Sequence, residues 1–340
     1  MKTKYTYSFL ALSVILLFCF LLNISLGSVS IPITDIFASF FGAIKNPTWQ
    51  VIITDFRLPK AITAVLVGSG LGISGLLMQT LFKNPLAGPF VLGISSGASL
   101  GVAIIILGFG VFGGLFATAL ISKWSIVIAA SLGSFLVLLA VLAISSKVRD
   151  TMAILIIGLM FGSITTAVVS VLSYFSSAEQ LQQYIFWGFG SLSNLSWNEV
   201  LIFFGIYAIG CLLALTSIKA LNSLLLGDNY AKSLGLNIKQ SRLVIILATS
   251  LIAGSVTAFA GPVAFIGLAI PHLTRQIFKT SNHKILLPAV FLFGAIVMLI
   301  CDCIAQVPNS DYTLPINAIT ALVGAPVVIW LLVRQRKIMF

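Results

Sequence analysis

Charged side chains are scarce in this sequence. They make up 8% of its 340 residues, and only eight residues are Asp or Glu. A soluble domain carries about 25% charged residues, so a chain this poor in charge cannot cover a water-facing surface. Hydrophobic residues reach 59% and the mean hydropathy is +1.14. Because a helix needs about 20 apolar residues to cross the hydrocarbon core, the composition excludes two soluble domains and indicates a polytopic membrane protein.

Cysteine and histidine are also scarce, with four and two residues. All the cysteines lie in or beside apolar segments, where Cys behaves as a small hydrophobic side chain. Structural zinc takes four ligands, and no His or second Cys pair lies near Cys301 and Cys303. The sequence therefore predicts no metal site and no disulfide framework.

Motifs of the main catalytic classes are missing as well. The apolar runs hold no Ser/His pair, Asp pair or His-x-x-Glu-His motif, so we predict no catalytic residues and no enzyme activity. The chain also lacks the G-x-x-x-x-G-K-[ST] loop that cradles nucleotide phosphates. If ATP drives transport by this protein, a separate polypeptide must bind the ATP and its Mg. The chain itself is expected to bind no cofactor.

Ten apolar runs account for most of the chain and predict an all-α fold with about ten transmembrane helices in a single domain, 1–340. Two interruptions, Asn84–Pro89 and Gly261–Pro262, recur in a way typical of repeat-built transporters. They suggest two inverted halves, formed by the second to fifth and the seventh to tenth runs. The runs lie near residues 8–27, 61–82, 90–110, 124–144, 152–174, 198–218, 243–259, 262–278, 285–305 and 316–333.

The 19 Lys and Arg residues stand singly or in pairs beside the ends of these runs. Membrane proteins fix their orientation in this way, with the excess of cations on the cytoplasmic side. If both termini are cytoplasmic, fifteen cations lie inside and only Lys45, Arg57, Lys60 and Lys123 lie outside. We therefore predict cytoplasmic termini, and the net charge of +11 needs no nucleic-acid partner.

Three connections between the runs are long enough to have a function. Residues 28–56 form an outside loop. Residues 175–197 lie outside in this topology and are suited to a short amphipathic helix at the periplasmic interface. Residues 219–242 form the longest inside connection. A Gly227-Asp228 start and a Gly235 stop predict two short helices there rather than a floppy loop.

A series of short sequence blocks follows the first run in order. Together they resemble the FecCD-type permeases, the membrane subunits of bacterial ABC importers for iron-siderophores, haem and cobalamin. The resemblance covers essentially the whole chain after the first run. The blocks are Arg57-Leu58-Pro59-Lys60, Lys83-Asn84-Pro85-Leu86-Ala87, Leu92-Gly93 with Ser95-Ser96-Gly97-Ala98, Trp187-Gly188, Gly227-Asp228 with Leu234-Gly235, Gly261-Pro262 with Pro271-His272, and Thr320-Ala321-Leu322.

This resemblance implies an assembly in the bacterial cytoplasmic (inner) membrane. A second permease subunit, identical or different, would complete the pore in the lipid bilayer. Two copies of a cytoplasmic ABC ATPase would bind below, and a periplasmic or lipid-anchored substrate-binding protein above. Ferric siderophore is the expected cargo because it is the commonest in the family, with haem and cobalamin as alternatives. A proton-coupled secondary transporter is the alternative of another class. It would need intramembrane acids in series, and only Asp302 qualifies.

The resemblance also assigns roles to particular residues. Arg57 and Lys60 break the positive-inside pattern, and they match positions that dock carboxylates of the binding protein. The alternative is a pair of cations that snorkel from a helix end. The family often has Arg where this chain has Gln306, and Glu where it has Thr313. The predicted ATPase-coupling residues are Gly227, Asp228, Ala231, Leu234 and Gly235.

A third set of residues is predicted to line the translocation path or its gates. The alternatives for the polar members are hydrogen bonds between helices and close packing of small residues. Packing is the favoured prediction for the Gly and Ser residues between Gly68 and Gly75. Asp302 is expected to be a structural carboxylate satisfied by its neighbours. The path and gate set is Gln79, Asn84, Pro85, Ser95, Ser96, Asp150, Thr151, Met152 and Ser163.

Overall fold

All regular secondary structure in the described part of the chain is helical. The computed structural model describes residues 3–29, 31–40, 46–108, 122–145, 151–193, 195–307 and 312–335. A π-helical turn, Ile52–Arg57, joins α3 to α4. The helices are α1 Thr3–Ser25, α2 Ile33–Phe40, α3 Pro47–Val51, α4 Leu58–Leu81, α5 Ile94–Ile106, α6 Lys123–Ser145, α7 Thr151–Tyr174, α8 Ala178–Phe189, α9 Trp197–Thr216, α10 Ile218–Leu225, α11 Asp228–Ser233, α12 Ile238–Ala260, α13 Ile266–Phe278, α14 His283–Ala305 and α15 Ile316–Gln335.

Each of the ten predicted apolar runs corresponds to one helix, namely α1, α4, α5, α6, α7, α9, α12, α13, α14 or α15. Seven helical stretches among the described residues are long and apolar enough to cross a membrane, and they lie in α1, α3–α4, α6, α7, α9, α12 and α14. Shorter apolar helices include α5 and the apolar part of α15. The prediction of an all-α polytopic membrane protein is therefore confirmed. The two inverted halves stay a prediction.

The chain divides into two compact units that interleave along the sequence. Unit 1 comprises Met1–Leu76, Ser191–Gly205 and Val263–Phe340, and unit 2 comprises Leu77–Gly190 and Ile206–Pro262. Neither unit is a continuous stretch of chain. The boundaries also do not follow the two predicted halves, because each half is divided between the units. Most of the second run lies in unit 1 while the fifth lies in unit 2, and the seventh run lies in unit 2 while the tenth lies in unit 1.

Unit 1 is built on helix contacts in which backbones touch. Helix α14 packs against α1, α13 and α15. A Cβ atom on Gly68 of α4 would overlap the carbonyl oxygen of Gly294 in α14, and one on Gly75 would overlap that of Gly267 in α13. Small residues let membrane helices approach this closely, so the predicted packing role of Gly68 and Gly75 is confirmed.

Unit 2 uses the same kind of contact between α5 and α6. A Cβ atom on Gly97 would overlap the carbonyl oxygen of Gly133, and one on Gly133 would overlap that of Gly97. Helices α7 and α12 pack on α5 as well. The core at this contact includes Val102, Ile106 and Ala130. Unit 2 therefore presents α5 as its central helix.

The predicted break after the seventh run is present and is satisfied by a side chain. Helix α12 ends at Ala260, and Gly261 follows with φ 78°. In unit 1 the N–H of Ala264 donates to the Oδ1 of Asn317 at 3.0 Å. Irregular backbone at membrane depth must find such partners inside the protein, so Asn317 fixes the approach to α13.

Candidate functional site

The five predicted coupling residues lie on α11 and its flanks, within unit 2. Gly227 precedes the helix with φ 106°, and Asp228 is the first helical residue. Gly235 follows the helix with φ 77°. The N–H of Gly235 donates to the carbonyl of Lys232 at 2.9 Å, and the N–H of Leu236 donates to the carbonyl of Ala231 at 3.0 Å. Positive φ angles favour glycine, so the sequence delimits this helix at both ends, as predicted.

Helix α11 has a buried side and an exposed apolar side. Ala231 is fully buried, which anchors the helix on its own unit. Tyr230 and Leu234 are 50% and 59% exposed. Leu226, just before the helix, is 64% exposed. Large apolar side chains exposed together on a polar connection are typical of a protein-binding surface.

Two cations from different parts of unit 2 hold the start of α11. The Nζ of Lys83 lies 3.1 Å from Oδ1 of Asp228. The Nη2 of Arg242 lies 2.7 Å from its Oδ2. Asp228 also stands at the positive end of the α11 dipole. Both carboxylate oxygens therefore have cationic partners within the protein itself.

Asn84 and Pro85 form the turn that follows Lys83. The side-chain Oδ1 of Asn84 accepts the N–H of Leu86 at 2.9 Å, and its carbonyl accepts the N–H of Ala87 at 3.1 Å. A side-chain bond two residues onward is an Asx turn, which fixes the backbone locally. Asn84 therefore uses its acceptor within this turn.

The other predicted path residues of unit 2 lie on three helices. Gln79 is buried near the end of α4. Ser95 and Ser96 are half-buried in the first turn of α5. Ser163 is exposed on α7, where its hydroxyl donates to the carbonyl of Leu159 at 3.4 Å.

The predicted gate residues are only partly described. Thr151 and Met152 begin α7. Asp150 lies outside the described residues, as does the predicted outside cation Lys45. Their proposed roles in the path stay predictions.

Arg57 is buried in unit 1 and caps the end of α1. Its residue exposure is 9%. Nη1 donates to the carbonyls of Ile24 at 2.7 Å and Ser25 at 2.9 Å, and Nη2 donates to that of Val29. The last carbonyls of a helix have no partner within the helix. The arginine therefore satisfies the C-terminus of α1.

Lys60 forms an ion pair with a buried carboxylate. Its Nζ lies 3.2 Å from Oδ2 of Asp302, with side-chain exposures of 13% and 4%. The same oxygen accepts from the side-chain amides of Asn23 and Gln306, each at 2.8 Å. Asp302 is thus a structural carboxylate satisfied by its neighbours, and that prediction is confirmed. Gln306 has a role of its own as a donor to it.

A cavity of about 320 Å³ opens beside this network in unit 1. Its polar lining includes Arg57, Lys60, Gln306 and Thr313. The positions at which the family resemblance places docking contacts therefore share one cavity. In the described structure Arg57 and Lys60 also have internal partners, so the docking assignment stays a prediction.

The predicted interfacial segment 175–197 contains helix α8, within unit 2. The helix starts with a capping box in which the Ser177 hydroxyl accepts the N–H of Gln180 and the Gln180 side chain accepts the N–H of Ser177. The Tyr184 hydroxyl shares a hydrogen bond of 2.5 Å with that of Ser99 in α5. Burial raises the pKa of the Tyr184 phenol, which further favours its neutral form.

Sequence reasoning missed three residues that the structure brings to these sites. Lys83 begins the family block at Asn84, but apart from that resemblance it is interpreted, like Arg242, only as an orientation charge. Asn317 is one polar residue in an apolar run. No local pattern pairs Lys83 and Arg242 with Asp228, because the three residues are distant in sequence.

Comparisons with known proteins bear on the whole chain. Residues 15–334 match the model of the FecCD transport family. The hemin transport system permease protein HmuU of Yersinia pestis is 34% identical over 320 residues, which cover 93% of this chain and 94% of that protein. The vitamin B12 import system permease protein BtuC of Klebsiella pneumoniae is 37% identical over 288 residues, 84% of each chain.

A solved structure agrees with this result. It is assigned to a metal-chelate type ABC transporter in an inward-facing conformation, and it superposes with a TM-score of 0.82 at 30% identity. The alignment covers 98% of this chain and 100% of that chain. The chain belongs to the FecCD transport family and is an ABC transporter permease subunit, not itself the ATPase.

Proposed function

We propose that this permease subunit imports an iron chelate, with ferric siderophore as the cargo and haem or cobalamin as the alternatives. Membership of the FecCD family supports uptake of a large chelate. The relatives named for hemin and vitamin B12 and the metal-chelate type structure support the same class. Within this class we favour ferric siderophore, because it is the commonest cargo of the family.

The ATP-driven part of this proposal is supported by the surface of α11, to which we assign the coupling role. The helix is held to its own unit by Ala231 and by the two ion pairs of Asp228, and it exposes Tyr230 and Leu234. A short helix fixed on one side and apolar on the other fits a cleft in a partner protein. We assign Gly227, Asp228, Ala231, Leu234 and Gly235 to the segment that an ABC ATPase grips.

The proposed assembly follows from that role. An ABC importer permease works with an ATPase and a binding protein. We propose two ATPase copies, which bind ATP and Mg, and a periplasmic or lipid-anchored binding protein. A second permease subunit, identical or different, completes the pore. The complex lies in the bacterial cytoplasmic membrane, with both termini of this chain inside.

The proposed mechanism is alternating access. ATP closes the ATPase dimer, α11 transmits the motion, and gates around 150–152 and 175–187 exchange exposure. Gln79, Asn84 with Pro85, Ser95, Ser96 and Ser163 remain candidates to line the path.

The cargo and the energy source can be tested together in cells that lack this gene. Labelled ferric siderophore, haem and cobalamin are supplied in parallel, with the gene absent or restored, and with ATP depleted in one arm. We expect restored uptake of ferric siderophore that stops when ATP is depleted. If haem or cobalamin is taken up instead, that compound replaces ferric siderophore as the proposed cargo. Uptake that survives ATP depletion but stops with the proton gradient supports a secondary transporter instead.

We also propose that Arg57 and Lys60 dock carboxylates of the binding protein. Charge reversal at both positions should weaken docking, and more strongly at low salt. Because both side chains have internal partners, thermal unfolding of each variant must be measured in parallel. Lys123→Glu, a charge reversal at an exposed helix start, is the matched control. Unchanged docking at low salt in a folded double variant would leave these cations with structural roles alone.

A further inference from the structure

The start of the proposed coupling helix is tethered at two points. Lys83 follows the end of α4 and binds Oδ1 of Asp228 at 3.1 Å, while Arg242 lies in the first two turns of α12 and binds Oδ2 at 2.7 Å. The two cations come from elements on either side of α11 in the chain. The tether therefore connects α11 with the C-terminal end of α4 and the N-terminal end of α12, both of which lie in unit 2.

We propose that Lys83 and Arg242 are positioning residues, which act through Asp228 to set where α11 stands. This inference rests on the proposed coupling function. In this arrangement Asp228 faces its own subunit, and the ATPase meets the apolar side of α11 at Tyr230 and Leu234. Displacement of α11 is passed to the adjoining helix ends through these two ion pairs.

The need for such a tether follows from the length of the helix. Helix α11 has six residues, and isolated helices of fewer than about 12 residues are marginal in water. The one residue of α11 that is buried is Ala231, which fixes position but offers little resistance to rotation. Two ion pairs on opposite oxygens of a carboxylate at the helix start restrict that rotation.

The turn before Asn84 presents Lys83 in a defined direction. Lys83 adopts φ 48°, a left-handed conformation that is uncommon for a residue with a side chain. Its N–H donates to the carbonyl of Thr80 at 3.3 Å, and the N–H of Asn84 donates to that of Gln79 at 3.2 Å. The Asx turn of Asn84 follows directly. The backbone on both sides of Lys83 is thus fixed.

A direct contact between Asp228 and the ATPase is the competing explanation, and substitutions distinguish the two. Lys83→Met, Arg242→Gln and Asp228→Asn are made in the complete importer complex. ATP hydrolysis stimulated by the loaded binding protein is then measured in liposomes. A partly exposed ion pair contributes only modestly to the free energy that holds two elements together. We therefore expect each single variant to lower the stimulated kcat by about fivefold, with an unchanged KM for ATP. Lys239→Gln, in the first turn of the same helix as Arg242, is the matched control and should retain stimulation.

Two combined variants complete the test. Arg242→Gln with Asp228→Asn should be no worse than Asp228→Asn alone, because the same contact is removed. Exchange of the charges, Asp228→Arg with Arg242→Asp, should recover part of the stimulation that Asp228→Arg loses. Recovery also shows that the loss is not general misfolding.

The outcomes separate this inference from the proposed function. Full stimulation in Lys83→Met and Arg242→Gln, with loss only in Asp228→Asn, would overturn the tether and assign Asp228 to the partner. A charge exchange that recovers nothing would also count against it. If the unmodified chain neither binds an ABC ATPase nor stimulates it, the coupling function itself fails.

Discussion

The buried ion pair between Lys60 and Asp302 allows a quantitative prediction. Asp302→Ala removes the acceptor of three donors, Lys60, Asn23 and Gln306, and leaves the ammonium group of Lys60 at 13% exposure without its counter-charge. Removal of one partner of a buried ion pair typically destabilises a protein by about 3–5 kcal/mol. We expect a loss in this range, at its lower end because Lys60 keeps some access to solvent.

The opposite substitution should be milder. In Lys60→Met, Asp302 keeps the side-chain amides of Asn23 and Gln306, each at 2.8 Å. We expect a loss of about 1.5–3 kcal/mol, the usual value for a lost hydrogen bond to a charged group. In the double variant no cation is left unpaired, so its loss should be smaller than the sum of the single losses by at least about 1 kcal/mol.

The assay is unfolding of the purified chain in mixed micelles by increasing SDS, followed by tryptophan fluorescence. Asp55→Ala is the matched control, because Asp55 is an exposed acid that accepts a hydrogen bond from the hydroxyl of its neighbour Thr54. Its effect should stay within about 0.5 kcal/mol. Single losses that add within about 0.5 kcal/mol would refute the coupling of Lys60 to Asp302.

Three further predictions concern the remaining contacts. Arg57→Gln removes two bonds to the carbonyls at the end of α1 and a third to the carbonyl of Val29 just beyond it, and should destabilise by about 2–4 kcal/mol in the same SDS assay; a neutral result would contradict the cap. Gly97→Val places a side chain against the Gly133 carbonyl and should lower the thermal midpoint, with a loss of at least about 1–3 kcal/mol; an unchanged midpoint would contradict the backbone contact. Tyr184→Phe removes the bond to Ser99 and should speed hydrogen exchange in α8 about fivefold, equivalent to ~1 kcal/mol; unchanged exchange would show that the bond does not hold α8.

The sequence predicts the helices well because hydropathy and chain breaks are local signals. Each apolar run became one helix, and Gly261 ends α12 as expected. Gly227 and Gly235 likewise delimit α11. The division into two interleaved units was not predicted, because it depends on contacts between helices that are distant in sequence.

The site was predicted only as far as local patterns reach. The sequence places Arg57 and Lys60 at a helix start, but it cannot show that one caps α1 and the other binds a buried carboxylate. In the same way, the sequence shows that Gln306 departs from the family pattern but not that its side chain donates to Asp302. Side-chain partners of this kind emerge only when the helices pack together.

The backbone contact between α5 and α6 limits which substitutions unit 2 can accept. Hydropathy scales score Gly→Ala as favourable in a membrane helix, since the methyl group prefers lipid to water. At Gly97 and Gly133 that methyl group would occupy the space of the opposite carbonyl. Methyl-sized changes in volume therefore matter more here than polarity does, and a scan of this chain by hydrophobicity alone would rank its least tolerant positions among its safest.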